Sequence, residues 1–247
     1  MNFDVQDKIA LVTGANRGIG KSIVESLFAH GAAKVYAAVR NTDSLSELVS
    51  KYGNKLAPVY VDITKVETIT KLAETAQDVQ LLVNNAGILR SANPLSDHVE
   101  ESLNQELAVN TYGLIRVARA FAPILEKNSP SALVQLNSVA SIKNFTDFTT
   151  YSASKAATYS ITQGLRDVLK PKGVSVLSVH PGPIATDMAD DAGFREVAEP
   201  ASVVSEAIVS ALKAGDFHVF PDSVARDIQG VYQSFATNVI EAEAVDN

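Results

Sequence analysis

The sequence predicts an α/β fold, a doubly wound parallel sheet of about seven strands with helices on both faces. Two observations predict it. Short apolar segments alternate with longer segments of helical period as far as about Pro200, and most of the short segments are apolar throughout. Strands that are covered by helices on both faces have this continuous pattern. Because no linker or change in composition divides the chain, we expect one domain over residues 1–247.

The strand candidates are short and rich in aliphatic residues. In chain order they are Ile9–Thr13, Lys34–Val39, Ala57–Val61, Leu81–Asn84, Ala132–Asn137, Val174–His180 and Phe217–Phe220. Helical periodicity predicts a further set of segments between and after these strands. They are Gly18–His30, Ser44–Tyr52, Val66–Ala76, Asp97–Leu125, Tyr151–Leu169 and Ala201–Lys213. Residues 183–200 have no strong period and are expected to form a mobile loop or short helices near the substrate, whereas the polar tail 225–247 is expected to be helical.

The composition excludes several classes of protein. The chain has 247 residues, a net charge of −7, four scattered histidines and no cysteine. Disulfide scaffolds, thiol nucleophiles and cysteine-ligated metal sites are therefore excluded, and the histidine spacing predicts no catalytic metal. The acidic balance opposes nucleic-acid binding. The longest apolar run, Val35–Val39, is too short for a membrane span, and the N-terminus does not resemble a signal peptide, so we expect a cytoplasmic protein with no membrane partner.

A glycine-rich loop follows the first strand and leads directly into a helix. Its sequence is TGANRGIG over Thr13–Gly20. Glycines allow the backbone to approach a ligand closely, and the free N–H groups of a helix N-terminus bind pyrophosphate. The alternative is that these glycines serve turn geometry alone. Its place between the first strand and the first helix favours a dinucleotide site, which indicates a Rossmann-type sheet.

The end of the second strand indicates which dinucleotide binds. An acidic residue there accepts hydrogen bonds from the ribose of NAD, whereas arginine receives the 2′-phosphate of NADP. The second strand ends in Arg40, and Arg17 in the glycine loop could reach the same phosphate. We therefore expect NADP(H). Two alternatives stay open: both arginines are ordinary surface residues, or Asp43 serves an NAD ribose, although we expect Asp43 to cap the helix near Ser44.

A second group of polar residues is expected at the same edge of the sheet. Tyr151 and Lys155 are four residues apart on one helix face, and a nearby cation favours the phenolate form of tyrosine. Ser138 follows the fifth strand, Asn84–Gly87 ends the fourth, and Asn110 lies within the long helix. The carboxyl ends of parallel strands are where open α/β sheets bind ligands.

With these motifs in order over nearly the whole chain, the sequence resembles the short-chain dehydrogenase/reductase family, of the compact single-domain type. The basic residue before the second glycine, Arg17, resembles the NADP-preferring carbonyl reductases of that family. The resemblance adds Asp62 before the third helix as an adenine contact and the segment Pro181–Thr186 as a nicotinamide contact. The cofactor-binding residues that it implies are Gly14, Asn16, Arg17, Gly18, Ile19, Gly20, Arg40, Asp62, Ile63, Asn85, Ala86, Gly87, Tyr151, Lys155, Pro181, Gly182, Ile184 and Thr186.

The resemblance also implies a catalytic tetrad of Asn110, Ser138, Tyr151 and Lys155. Tyr151 would protonate a ketone or aldehyde oxygen, Ser138 would orient it, and Lys155 would bind the nicotinamide ribose and lower the pKa of Tyr151. Asn110 would hold a water that links Lys155 to solvent. The implied function is reduction of a carbonyl by NADPH. The alternatives are an NAD-dependent alcohol dehydrogenase and a non-catalytic NADP(H)-sensing regulator.

The sequence contains fewer features that indicate the substrate contacts and the oligomeric state. By position, Ser138, Phe145, Tyr151 and Met188 are the candidate substrate contacts for a small carbonyl or alcohol. His180 at the end of the sixth strand is expected to be a packed residue rather than a base. The family resemblance favours a homodimer formed through the long helices.

Overall fold

A computed structural model describes residues 2–241, except for the side chains of residues 239 and 240. The chain forms one seven-stranded sheet with the order β3-β2-β1-β4-β5-β6-β7, and every neighbouring pair is parallel. The strands are β1 (Ile9–Thr13), β2 (Lys34–Val39), β3 (Leu56–Tyr60), β4 (Leu81–Asn84), β5 (Ser131–Leu136), β6 (Val174–Val179) and β7 (His218–Val219).

Nine α-helices lie in the described part of the chain. They are α1 (Gly18–Ala29), α2 (Ser46–Tyr52), α3 (Val66–Thr75), α4 (Val99–Glu106), α5 (Tyr112–Lys127), α6 (Thr149–Leu169), α7 (Asp187–Asp191), α8 (Ala201–Ala214) and α9 (Ser223–Phe235). Among these described helices, none is both long and apolar enough to cross a membrane.

Helices cover the sheet on both faces, so its central strands are buried on both sides. Val12 of β1 belongs to an apolar core that includes residues of α1 and α8. Its neighbour Leu11 belongs to a second core, with residues of α3, α5 and α6. Because side chains alternate across a strand, a strand that is buried on both faces must be apolar at consecutive positions. The predicted α/β, Rossmann-type doubly wound sheet is confirmed.

The predicted helix Asp97–Leu125 is observed as a continuous helical segment from Val99 to Lys127, but it is not α-helical throughout. Its α-helical parts, α4 and α5, are joined by a π-helical stretch over Leu107–Thr111. Such a stretch widens one turn without interrupting the chain of apolar positions, so periodicity does not reveal it. Asn110 lies in the widened turn, and its amide pairs with both backbone groups of Ile88 across a gap of 22 residues.

Two smaller predictions also need correction or completion. Asp43 does not cap the second helical segment: the Asn41 side chain does so, by accepting a hydrogen bond from the Asp43 N–H at 3.1 Å.

The segment 183–200 contains α7 and a short turn at Arg195–Val197, so the prediction of short helices is confirmed. The predicted helical tail is observed as α9 followed by a π-helical stretch to Ile240, and residues 242–247 lie outside the described residues.

Candidate active site

A cleft of about 590 Å³ opens at the carboxyl ends of the strands. The strand order reverses between the neighbouring strands β1 and β4. The residues that follow the carboxyl ends of these two strands form the floor of the cleft. Thr13, the last residue of β1, is bonded to the segment after β4: its hydroxyl oxygen accepts hydrogen bonds from the N–H groups of Asn85 (2.9 Å) and Ala86 (3.0 Å). The Asn85 amide in turn donates to the Thr13 carbonyl at 2.9 Å. The glycine loop and the segment after β4 are therefore held in fixed register.

The glycine loop folds tightly because two of its glycines occupy positions that a larger residue could not take without a clash or backbone strain. A Cβ on Gly20 would lie 2.1 Å from the carbonyl oxygen of Gly14, and Gly14 itself has a φ of +66°. No side chain caps α1, and its first turn has no acidic residue. The first N–H groups of α1 therefore face the cleft without a competing carboxylate, as a pyrophosphate site requires.

The exit of β2 presents polar and cationic groups but no carboxylate to the cleft. Arg40, Asn41 and Ser44 line this part of it, and Asp43 does not. Arg17 also lines the cleft, where its guanidinium forms an ion pair with Asp187 at the start of α7. Arg17 and Asp187 are both largely exposed, so this pair contributes little to stability. At the end of β2 the cleft is therefore lined by a guanidinium, an amide and a hydroxyl group.

The cleft collects residues from distant parts of the sequence. All but two of the predicted cofactor residues line it; Gly182 and Ile184 do not. The Gly182 N–H is bonded to the Asp222 carboxylate at 2.7 Å, and Ile184 is buried in the apolar core next to α8. Lining residues that sequence reasoning missed are Ala38, Val39, Asn41, Ser44, Val61, Thr64, Ile88, Val109, Leu136, Asn137 and Asp187. Asn41 and Thr64 lie two and three residues after the ends of predicted strands, and this position could have indicated them. No local signal in the sequence indicates Asp187.

The predicted substrate residues separate into two groups. Tyr151 and Met188 line the cleft. Phe145 packs instead against the small apolar cluster that contains Phe220 and Ala225, because the segment after β5 turns its ring toward the start of α9. Ser138 is nearly buried beside the cleft, where its hydroxyl accepts from the Ala140 N–H at 3.1 Å.

Tyr151 and Lys155 meet at the inner end of the cleft. The Lys155 ammonium lies 5.7 Å from the centre of the Tyr151 ring and donates to the Leu136 carbonyl at 2.8 Å. Burial lowers the pKa of Lys155 to about 8, although the negative charge of Glu106 acts against this shift. Lys155 is therefore a cation near neutral pH that is close to its own titration.

Burial raises the pKa of Tyr151 to about 12, the nearby Ser138 hydroxyl lowers it, and the charge of Glu106 raises it further. The Lys155 ammonium is directed to the Leu136 carbonyl and is not among the causes of this shift. The expected lowering of the Tyr151 pKa by Lys155 therefore stays a prediction. The raised pKa means that the Tyr151 phenol is protonated at neutral pH and is thus available as a proton donor.

Asn110 lies behind this pair and is buried. Its amide group donates to the Ile88 carbonyl and to the Ser154 hydroxyl, both at 2.9 Å, and its oxygen accepts from the Ile88 N–H. Asn110 thus joins the π-helical stretch to α6 and to the segment after β4. The structure brings all the predicted tetrad residues to one end of the cleft. In the described part of the chain, no group of three or more histidine or acidic residues is arranged to hold a metal ion.

His180 lies next to the site but is fully buried and packed. Its Nδ1 is 2.9 Å from the Ser141 hydroxyl and its Nε2 is 2.8 Å from the Ser178 hydroxyl. Burial, followed by the neighbouring His218, lowers the pKa of His180 to about 3. Its ring is therefore neutral at physiological pH and serves the packing between β6 and the segment after β5.

This burial predicts that stability falls in mild acid. Below pH 6.5 the unfolded chain protonates His180 while the folded chain does not, so stability is lost as the pH falls from 6.5 toward about 3. The contribution is about 2 kcal/mol between pH 6.5 and pH 5. Urea unfolding at both pH values should show a smaller acid loss for His180→Gln than for the wild type. The exposed His98→Gln is the control, and an unchanged pH dependence in His180→Gln would contradict the prediction.

The fold and the cleft define a dinucleotide-binding α/β protein, and comparison with known proteins identifies its family. The family model of short chain dehydrogenases matches residues 8–196. The chain belongs to the short-chain dehydrogenase/reductase family of oxidoreductases, which bind a nicotinamide cofactor.

Its relatives include an uncharacterized oxidoreductase and two solved structures. An uncharacterized oxidoreductase of Staphylococcus saprophyticus is 34% identical over 215 residues, which cover 83% of this chain and 91% of that protein. A short chain dehydrogenase from Burkholderia cenocepacia, solved in complex with NADP, is 34% identical with a TM-score of 0.86, covering 96% of this chain and 99% of that one. A Burkholderia phymatum member, solved with NAD, has a TM-score of 0.84 at 22% identity, covers 99% of both chains, and supports the fold alone.

Proposed function

We propose that this protein reduces a ketone or aldehyde to an alcohol with NADPH as the cofactor. One observation carries the proposal. A protonated Tyr151 phenol lies beside Lys155 at the inner end of the cleft, and Arg17 and Arg40 line the outer end of the same cleft. A proton donor and a phosphate-binding region in one cleft are what this reaction requires.

A hydride for the carbonyl carbon of the substrate would come from NADPH when it is bound in the cleft. The N–H groups at the start of α1 would hold the pyrophosphate, and Arg40 with Arg17 would hold the 2′-phosphate. Arg17 must first leave Asp187 to do so. The Asp62 carboxylate, which accepts from the Thr64 N–H at 3.0 Å, would face the adenine end.

The side chains at the inner end would act on the carbonyl oxygen, where negative charge develops during the reaction. Tyr151 donates its proton to that oxygen, and Ser138 donates a hydrogen bond that orients it. Lys155 offers a positive charge to the developing phenolate, because its ammonium lies near the ring. Asn110 fixes the backbone at Ile88 and the helix that carries Tyr151, so that the donor keeps its place.

The proposal is tested by the initial rate of NADPH oxidation over a panel of aldehydes and ketones, with NADH measured in parallel. We expect turnover that is faster with NADPH. Turnover that is faster with NADH, in the direction of alcohol oxidation, would favour an NAD-dependent alcohol dehydrogenase. Tight NADPH binding with no turnover across the panel would favour a cofactor-sensing regulator instead.

We also propose a homodimer in which α5 and α6 form the contact. Apolar side chains of both helices reach solvent, with Tyr112 at 52% and Val168 at 59% exposure. A contact between two copies of these helices would remove both side chains from water. Sedimentation velocity should give the mass of two chains, and the mass of one chain would contradict this part of the proposal.

A further inference from the structure

A buried carboxylate lies directly behind the tetrad. Glu106 is the last residue of α4 and is completely buried. Its Oε1 accepts from the Arg90 N–H at 2.7 Å. One turn later, Asn110 accepts from the Ile88 N–H at 2.9 Å. The two side chains therefore hold alternate residues of the segment after β4, but a neutral amide would suffice for this purpose, and burying a charge is costly.

The second oxygen of this carboxylate is directed toward the catalytic helix. Glu106 Oε2 and Thr150 Oγ1 are both buried without a hydrogen-bond partner among the described residues. The Thr150 hydroxyl is nevertheless close enough to act against the rise that burial causes in the pKa of Glu106. Thr150 immediately precedes Tyr151 in the first turn of α6. The unpartnered oxygen thus lies next to the turn that positions the proton donor.

The charged and titratable groups that face Glu106 come from two elements. Burial raises the pKa of Glu106 overall, whereas Arg90, from the segment after β4, and Lys155, from α6, both favour its ionised form. The negative charge of Glu106 in turn raises the pKa of Tyr151 in α6, because it opposes formation of the phenolate, and it raises the pKa of Lys155 as well. An ionised Glu106 therefore acts on both members of the Tyr151 and Lys155 pair, and in both cases it favours the protonated form.

We propose that Glu106 is a positioning residue whose buried negative charge keeps Lys155 charged and Tyr151 protonated, and so biases the site toward carbonyl reduction. This inference rests on the proposed function for its catalytic consequence, but its electrostatic part can be measured on Lys155 without turnover. It assigns to α4 a role that is separate from holding the segment after β4.

The first test is the pH dependence of NADPH-linked carbonyl reduction in Glu106→Gln, which keeps the hydrogen bond from Arg90. We expect the high-pH limb of the kcat profile to move to lower pH by about one pH unit, because both proton-bearing groups lose a stabilising charge. Glu106→Asp should restore the wild-type position of the limb. The control is Glu100→Gln, which removes the same charge from the exposed face of α4. A lower rate with an unmoved limb would mean a purely structural role and would overturn the proposal.

The second test does not depend on turnover. The titration of Lys155 is followed by ¹H–¹³C NMR of lysine-labelled protein, with its signal assigned by its loss in Lys155→Met. We expect Glu106→Gln to move the titration midpoint to lower pH, and an unmoved midpoint would overturn the proposal. A moved midpoint in a protein that reduces no carbonyl would support the electrostatic role and refute the proposed function instead.

A third variant covers the case in which Glu106→Gln does not fold. Thr150→Val removes the hydroxyl that favours ionisation of Glu106 while preserving the volume of the side chain. Its Lys155 midpoint should move in the same direction by a smaller amount. A midpoint equal to that of the wild type in folded Thr150→Val would overturn the proposal.

Discussion

Replacing Tyr151 by phenylalanine is expected to lower kcat for carbonyl reduction by a factor of about 10² to 10⁴, the usual contribution of a positioned general acid. Phenylalanine keeps the ring that lines the cleft and removes only the hydroxyl. The pKa of Tyr151, raised to about 12 by burial, means that this hydroxyl carries its proton at neutral pH and is lost as a donor in the variant. Steady-state kinetics with NADPH and the best substrate of the panel measure the effect.

The matched control removes a hydroxyl from a tyrosine that lies outside the cleft. Tyr52 ends α2 and stacks on Phe28 with ring centres 4.2 Å apart. Tyr52→Phe should retain wild-type kcat, and NADPH should bind to Tyr151→Phe with nearly unchanged affinity by fluorescence titration. If Tyr151→Phe kept its turnover, another group would have to supply the proton and the assignment of Tyr151 would fail.

The second large effect concerns the choice of cofactor. Arg40→Ala is expected to weaken NADPH binding by about 10- to 100-fold, which is the loss of one charge-assisted hydrogen bond. NADH should be affected far less, since it lacks the 2′-phosphate. Arg40 is exposed at the exit of β2 and lines the cleft, so its removal leaves the core intact. Dissociation constants for both cofactors, measured by fluorescence titration, give the comparison.

Lys55→Ala provides the control, because it removes a positive charge at the amino end of β3, the end of the sheet opposite to the cleft. Both cofactors should bind to it as they do to the wild type. Equal weakening of NADPH and NADH by Arg40→Ala would show that Arg40 does not recognise the phosphate. Arg17 would then have to recognise it alone, in competition with Asp187.

Local sequence patterns predicted those parts of the site whose chemistry is contained in one segment. Tyr151 and Lys155 share a helix face because they are four residues apart, and the glycine loop follows the strand that positions it. The order of apolar segments likewise predicted the parallel sheet. Ile184 belongs to the segment Pro181–Thr186 that was expected to contact the nicotinamide. The sequence could not show that its side chain packs into the core and does not face the cleft.

The features that were missed depend on contacts between distant segments. Glu106 meets Arg90 and Thr150 only because α4 packs beside α6 and the segment after β4. Arg17 and Asp187 are 170 residues apart. The π-helical stretch left the hydrophobic period intact, so nothing in the pattern indicated the widened turn between α4 and α5.

The hydrogen bonds between Thr13 and the segment after β4 have a consequence for how the molecule acquires its structure. They join residues that are 72 and 73 positions apart, across a strand pair that two βα units separate in the chain. The entropy of closing so long a loop must be overcome before these contacts form, and topologies of this kind fold slowly. A nascent chain that ends before β4 therefore lacks the floor of the cleft, so cofactor cannot assist the earliest steps of folding and can stabilise only a chain in which both halves of the sheet have met.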